Sequence, residues 1–150
     1  MSACPFCEIV AAVASGHGGE TVVFEDQVAV AFLDRSPVFK GHLLVVPRRH
    51  AVTLTDLAVA EVGPFFERVQ RLTNAVKVGL GADGTFVAMN NTVSQSVAHL
   101  HVHIVPRRRK DGLRGFFWPR TKYASDAEAA SYAAQISAAD HLDEGTTGER

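Results

Sequence analysis

The sequence predicts an α+β fold, an antiparallel sheet of about five strands with one long helix and short terminal helices. Three observations carry this reading. Short β-branched or apolar runs recur between Asp, Gly and Pro punctuation, the first two separated only by Asp26 and Gln27, which is hairpin spacing. One stretch of about twenty residues repeats its apolar positions at helical period. No repeat or Pro/Ser-rich linker divides the chain.

The elements follow in order. Residues 5–15 read as a short helix stopped by Gly16, Gly18 and Gly19. Residues 21–25 and 28–33 form the hairpin strands, and residues 41–46 a third strand ending at Pro47. Over residues 59–80, Val62, Phe65, Phe66, Val69, Leu72, Val76 and Leu80 share a face, with Glu67, Arg68, Gln70, Arg71 and Asn74 between them. Pro64 sits near the start of this helix, where a missing N–H is tolerated, and Gly79 and Gly81 end it. Residues 85–90 and 100–105 read as two further strands, and residues 126 to about 139 as a last helix. The whole of 1–142 reads as a single domain and the polar tail 143–150 as flexible.

With 150 residues, 47% hydrophobic and 21% charged, the composition is that of a globular protein rather than a disordered or disulfide-framed one. A formal net charge of -1 gives no overall pull toward nucleic acid or a membrane. Neither a signal-like start nor a membrane-length apolar run is present, so a cytoplasmic protein with no membrane partner and no specific nucleic-acid partner is expected. Arg107, Arg108, Arg109, Lys110, Arg114, Arg120 and Lys122 cluster against Asp111 alone, either facing a phosphate or forming a solvated loop.

The segment His99-Leu100-His101-Val102-His103-Ile104-Val105 alternates imidazoles with aliphatic side chains. A strand of period two would send His99, His101 and His103 to one face and bury Leu100, Val102 and Ile104 behind them. Three imidazoles on one face are costly for packing alone, because neutral rings need partners and charged ones repel. They suit nucleophilic catalysis or metal ligation. Gln95 and Ser96, on the polar turn before the strand, can donate hydrogen bonds to anionic oxygens at its mouth.

HLHVHIVPR, with QSV just upstream, resembles the signature of the histidine-triad (HIT) family of nucleotide hydrolases and transferases, in its bacterial HIT-like branch. VVFEDQVAVAFLDRSPVFKGHLLVVPRRH resembles that family's first three strands, and the likeness runs from about Cys4 to Pro119. The resemblance implies a HIT-like fold whose sheet continues to ten strands across a homodimer. It also implies that His101 attacks the α-phosphorus of a purine nucleotide and carries a nucleotidyl group, with its other nitrogen bonded to the backbone at His99. His103 would contact the phosphate, Gln95 and Ser96 orient it, and Asp34 accept from the ribose hydroxyls. Asp34 also suits a turn cap before Ser36-Pro37. Phe24, Phe32 and Leu33 would line the base pocket or simply fill the core. Trp118-Pro119 resembles a Trp-Pro that lies near the neighbouring subunit's site in some branches.

Cys4-Pro5-Phe6-Cys7 is a redox pair, two plain thiols or half of a metal site. By resemblance to bacterial members and to galactose-phosphate uridylyltransferases, Cys4, Cys7, His50 and His99 would bind a structural zinc ion, with no catalytic metal required, while His42 packs near the site. One departure stands out. The family's Gly-rich turn before the triad is replaced here by Asn90-Asn91-Thr92-Val93-Ser94-Gln95, shorter and without glycine, leaving Asn90 and Asn91 as rival substrate contacts. The expected reaction is hydrolysis or transfer of the nucleotidyl group of a nucleoside phosphoramidate or dinucleoside polyphosphate. A dinucleoside polyphosphate phosphorylase, a non-catalytic nucleotide-binding dimer and a metal-handling protein are the alternatives.

Overall fold

The computed structural model describes residues 4–113 and 120–143. Trp118, Arg114, Pro119 and the tail 144–150 lie outside them. The chain divides after Asp111 into two compact units. In the first, α1 (Pro5–Ala14) leads to β1 (Val22–Glu25), β2 (Ala29–Leu33), β3 (Leu43–Pro47), α2 (Val59–Gly79), β4 (Gly84–Ala88) and β5 (Val102–Arg107). The strands form one antiparallel sheet in the order β1-β2-β3-β5-β4, the α+β arrangement expected.

Strand alternation sorts the central side chains to two faces. Ala29, Ala31, Leu43, Val45, Val102 and Ile104 face α2, where Phe65, Val69, Leu72 and Val76 supply the helical stripe. Val30, Phe32, Leu44 and Val46 face α1 and meet Phe6 and Val13. Coverage on both faces explains why β2 and β3 read as unbroken apolar runs. It also means that any polar group on the α1 face of β3 or β5 is enclosed beneath a helix and needs partners.

The strand bounds shift by one or two residues from the sequence expectation, and two of the shifts have a visible cause. β5 starts at Val102, not at residue 100, because the N–H of Leu100 leaves the sheet and donates to the Ala51 carbonyl at 2.7 Å. β4 ends at Ala88 because Asn90 turns inward on its own loop, its amide donating to the Ser94 carbonyl. A 3-10 turn at Leu54–Asp56, which nothing in the apolar pattern announced, precedes α2. Pro64 sits just over one turn into α2, which begins at Val59.

Two arginines of the basic run have structural partners. Arg108 caps the end of α2 through the Leu80 and Gly81 carbonyls, each at 2.7 Å, and Arg107 pairs with Asp111 at 2.6 Å. In the second unit, Ser125 accepts from the Glu128 N–H at the start of α3 (Asp126–Asp143), which runs further than residue 139.

Asp26 fastens the β1–β2 hairpin. Its carboxylate accepts from the N–H groups of Val28 at 2.8 Å and Ala29 at 2.9 Å, and pairs with Arg68 of α2 at 2.8 Å. Burial works against the charge, yet these donors hold the carboxyl below the usual range. Asp26→Ala is expected to destabilise the chain by about 2 kcal/mol, the cost of orphaning such charge-assisted bonds. Denaturant unfolding checks this, and a loss under about 0.5 kcal/mol would show the staple to be dispensable.

Candidate active site and thiol–imidazole cluster

Between α1 and the α1-facing side of the sheet lies a cleft of ≈ 860 Å³. Phe32, Leu33, Asp34, Ser96, His101 and His103 line it, so the chain brings together most of the residues expected to bind or act on substrate. The far wall was not foreseen. It comes from Pro5, Phe6, Glu8, Ile9 and Ala12 of α1, with Arg35 and Thr21 on the hairpin side. The spacing of Pro5, Ile9 and Ala12, one helix face, is the signal that could have found it.

His101 is almost fully buried, and its Nδ1 lies 2.7 Å from the His99 carbonyl. A carbonyl only accepts, so Nδ1 carries a proton, and in the neutral ring the lone pair belongs to Nε2. Phe6 braces the ring edge-on at 5.2 Å and also meets Phe32 at 5.3 Å. Leu100, Val102 and Ile104 are wholly buried on the opposite side, as the alternation requires, although His99 and His101 precede the sheet ladder.

A second chain of bonds sets His103. The Val38 N–H donates to His42 Nδ1 at 3.1 Å, so the proton of His42 sits on Nε2. That proton is donated to His103 Nδ1 at 2.9 Å, which places the proton of His103 on its Nε2. His103 therefore enters the cleft as a neutral donor beside the His101 ring, 5.0 Å away between centroids. Burial, with the neighbouring His101 and His42, pushes its pKa from 6.5 to about 4, against the opposing pull of Asp34. His42 is lowered by burial too, with Asp34 again opposing. Asp34, His42 and His103 bring ligand atoms close together, yet the lone pairs of His42 Nδ1 and His103 Nδ1 are both occupied by donors, which argues against a cation there.

Asp34 serves two ends. One oxygen accepts from the Ser36 N–H at 2.8 Å as a turn cap, and the other lies 3.7 Å from His42 Nδ1 at the cleft wall. Gln95 instead secures backbone: it accepts from the Thr92 N–H at 2.9 Å and donates to the Val52 carbonyl at 2.6 Å. Asn91 accepts from the Leu54 N–H at 2.8 Å, and Asn90 stays within its loop. Phe24 is on the opposite face of the sheet, packed beside the α2 core with Arg71 4.9 Å over its ring. None of these four lines the cleft.

The second cluster joins Cys4, Cys7, His50 and His99, whose ligand atoms all lie within 4.8 Å of one another. His99 Nδ1 is 3.5 Å from both sulfurs, and His50 Nδ1 is 3.2 Å from Cys7 Sγ. Tetrahedral zinc with Zn–N near 2.05 Å and Zn–S near 2.3 Å places its N and S ligands about 3.5 Å apart, so the donor set fits that ion. The tautomer fits as well. His99 Nε2 donates to the Pro47 carbonyl at 2.9 Å, which turns the Nδ1 lone pair toward the sulfurs.

The chain is similar to known proteins in sequence and in fold. The profile of the HIT domain matches residues 16–110. An uncharacterised HIT-like protein of Methanocaldococcus jannaschii is 38% identical over 111 residues, covering 73% of this chain and 82% of that protein. The adenosine 5'-monophosphoramidase hnt1 of Schizosaccharomyces pombe is 32% identical over 118 residues, 77% of this chain and 83% of its own. A zinc-bound histidine triad family protein of Mycobacterium smegmatis superposes with a TM-score of 0.66 at 34% identity, covering 91% of this chain and 97% of that one.

The depressed His103 pKa has a thermodynamic sign. The unfolded imidazole takes up its proton near 6.5 and the folded one only near 4, so between these values the unfolded state binds more protons. Stability should fall as pH drops through that window, and His103→Asn should lose less over the same interval. Unfolding titrations at several pH values check this; equal losses in both proteins would refute the assignment.

Proposed function

Because the chain belongs to the HIT-domain family, we propose that it is a nucleotide hydrolase or nucleotidyltransferase working through a covalent nucleotidyl-His101 intermediate. Its substrate is a purine nucleoside phosphoramidate or a dinucleoside polyphosphate, cleaved at the α-phosphorus. The observation that carries this reading is the bond from His101 Nδ1 to the His99 carbonyl, which assigns the lone pair of the neutral ring to Nε2, on a residue that lines the cleft. The phosphoramidase activity named for the fission-yeast relative supports the substrate class.

His101 Nε2 attacks phosphorus, a P–N bond forms, and the bond to the leaving group breaks, an amine departing into the cleft with a proton taken up from solvent water or a nucleotide departing as its phosphate anion. Water then attacks the same phosphorus, its proton is lost, and the imidazole is released with the nucleoside monophosphate. The Nε2–H of His103 stabilises charge building on a phosphoryl oxygen, and Ser96 offers a hydroxyl from the adjoining turn. The free lone pairs of Asp34 accept from ribose hydroxyls, with Phe32 and Leu33 against the base.

Cys4, Cys7, His50 and His99 hold a structural zinc ion in this reading. Bound there, the ion supplies a cross-link between α1, the exit of β3 and the histidine segment. Four protein donors leave it no open position for substrate. Two copies pair through the β4 edge, where Val87 is exposed, extending the sheet to ten strands. Among the described residues no helix is long and apolar enough to cross a membrane, and reduced thiols in a metal set suit the cytoplasm.

Wild-type protein is expected to release nucleoside monophosphate from adenosine or guanosine phosphoramidate or from diadenosine polyphosphates. His101→Ala should lose at least roughly 10³-fold in kcat, as removal of a covalent nucleophile does. Chromatography of the products checks both, and adding inorganic phosphate separates hydrolysis from phosphorolysis. Equal turnover by His101→Ala would sink the covalent mechanism.

A further inference from the structure

We propose that His99 is a positioning residue for the reaction, transmitting the state of the Cys4–Cys7–His50–His99 set to the nucleophile His101. The inference rests on the zinc and nucleotidyl-transfer readings above and deepens them.

One peptide group carries the argument. The plane joining His99 to Leu100 has two polar ends: its carbonyl accepts from His101 Nδ1 at 2.7 Å, and its N–H donates to the Ala51 carbonyl at 2.7 Å. Ala51 follows His50, so the two imidazoles of the cluster flank the two ends of the clamp that aims His101. The sheet does not hold this plane. Pairing of β5 with β3 begins at Val102, opposite Val45, and the N–H of His99 bonds back to the Val97 carbonyl at 2.8 Å. The rest of the restraint comes from the His99 ring, fully buried between the Pro47 carbonyl and both sulfurs. His50 is exposed beyond the end of β3, and its recorded side-chain hydrogen bond is to Cys7 Sγ.

A cation bound by all four donors therefore fixes His50 against His99 and locks the plane between them. Without it, the side chain of His50 is released and the His99 ring keeps only its bond to the Pro47 carbonyl, so the carbonyl of residue 99 tilts and His101 loses the acceptor that selects its tautomer. The effect falls on the orientation of the attacking nitrogen rather than on the cleft wall that holds nucleoside. It belongs to kcat more than to KM.

The test uses the full chain loaded with zinc, the same protein after chelation, and the variants His50→Ala, Cys7→Ser and Cys7→His. Cobalt substitution reports the site directly through the visible bands of a tetrahedral sulfur–nitrogen set. Nitrogen-15 signals of the His101 ring report its tautomer without substrate, and circular dichroism identifies which samples remain folded. Loaded protein should show one sharp pair of ring signals with Nδ1 protonated. Chelation, His50→Ala and Cys7→Ser should broaden or split that pair and lower kcat roughly 10–100-fold, the usual scale for outer-shell support, with KM nearly unchanged. Cys7→His, which restores a zinc-competent donor, should recover part of both signals.

Two results would overturn the proposal: absence of tetrahedral cobalt bands in the wild type, or His101 signals unchanged in folded, metal-free protein whose melting temperature has merely dropped. A ring response without turnover on any nucleotide would uphold the positioning role and count against the hydrolase reading alone.

Discussion

A histidine that attacks phosphorus must be neutral, oriented, and protonated on the nitrogen that does not attack. Water cannot enforce that choice between tautomers, since it offers donors and acceptors to both ring nitrogens. A buried carbonyl can, because it only accepts. The bond from His101 Nδ1 to the His99 carbonyl is thus the constraint on which the rest of the site depends. The covering helix α1 keeps the ring from solvent, Phe6 fixes its plane, and the alternation of residues 99–105 places aliphatic side chains behind it.

The same logic orders the second pair of rings. One backbone N–H, that of Val38, determines the proton positions of His42 and then His103, so a single donor at the start of the relay decides what the cleft receives at its end. Burial opposes protonation of both rings and preserves that order at neutral pH. Were His103 charged, its Nδ1 would become a donor facing the Nε2–H of His42, and the relay would break. Two imidazoles thus sit 5.0 Å apart in opposite roles, one presenting a lone pair and one a proton, because their other nitrogens meet different backbone groups.

This division was only partly legible in the sequence. Period-two alternation located the histidine face and its aliphatic backing, the helical stripe of Phe65, Val69, Leu72 and Val76 located α2, and the Cys4–Cys7 spacing located the cluster through family resemblance. What decided the chemistry was backbone: the carbonyls of Pro47 and His99 and the N–H of Val38, groups every residue carries and no motif marks. Side-chain type misled where geometry intervened. Gln95 is polar and adjacent to the triad, yet both ends of its amide serve the backbone at Thr92 and Val52. Phe24 is aromatic on a cleft strand, but a register shift between Val22 and Phe24 breaks the alternation and sends it to the α2 face. In the basic run, which suited a phosphate or a solvated loop alike, Arg108 caps a helix and Arg107 closes a turn.

The turn before the triad shows how the chain manages without the expected glycines. Thr92 and Ser94 adopt left-handed backbone at φ 70° and φ 61°, a conformation costing roughly 1–2 kcal/mol for each such residue. The amides around them offset it: Gln95 takes the Thr92 N–H, Asn90 reaches the Ser94 carbonyl, and Asn91 and Gln95 tie the turn to Leu54 and Val52. A glycine turn would reach the same shape at lower conformational cost but with more alternatives open to it. By restricting those alternatives and binding the turn to the segment after His50, the polar side chains make residues 91–101 one clamped unit. Ser96, the His99 carbonyl and His101 all belong to that unit. Precision at the nucleophile then depends less on the sheet, which does not begin until Val102, than on cross-links between two loops. A cation shared by His50 and His99 would add a cross-link between those two loops, which gives the cluster a positioning part beside the proposed nucleophile.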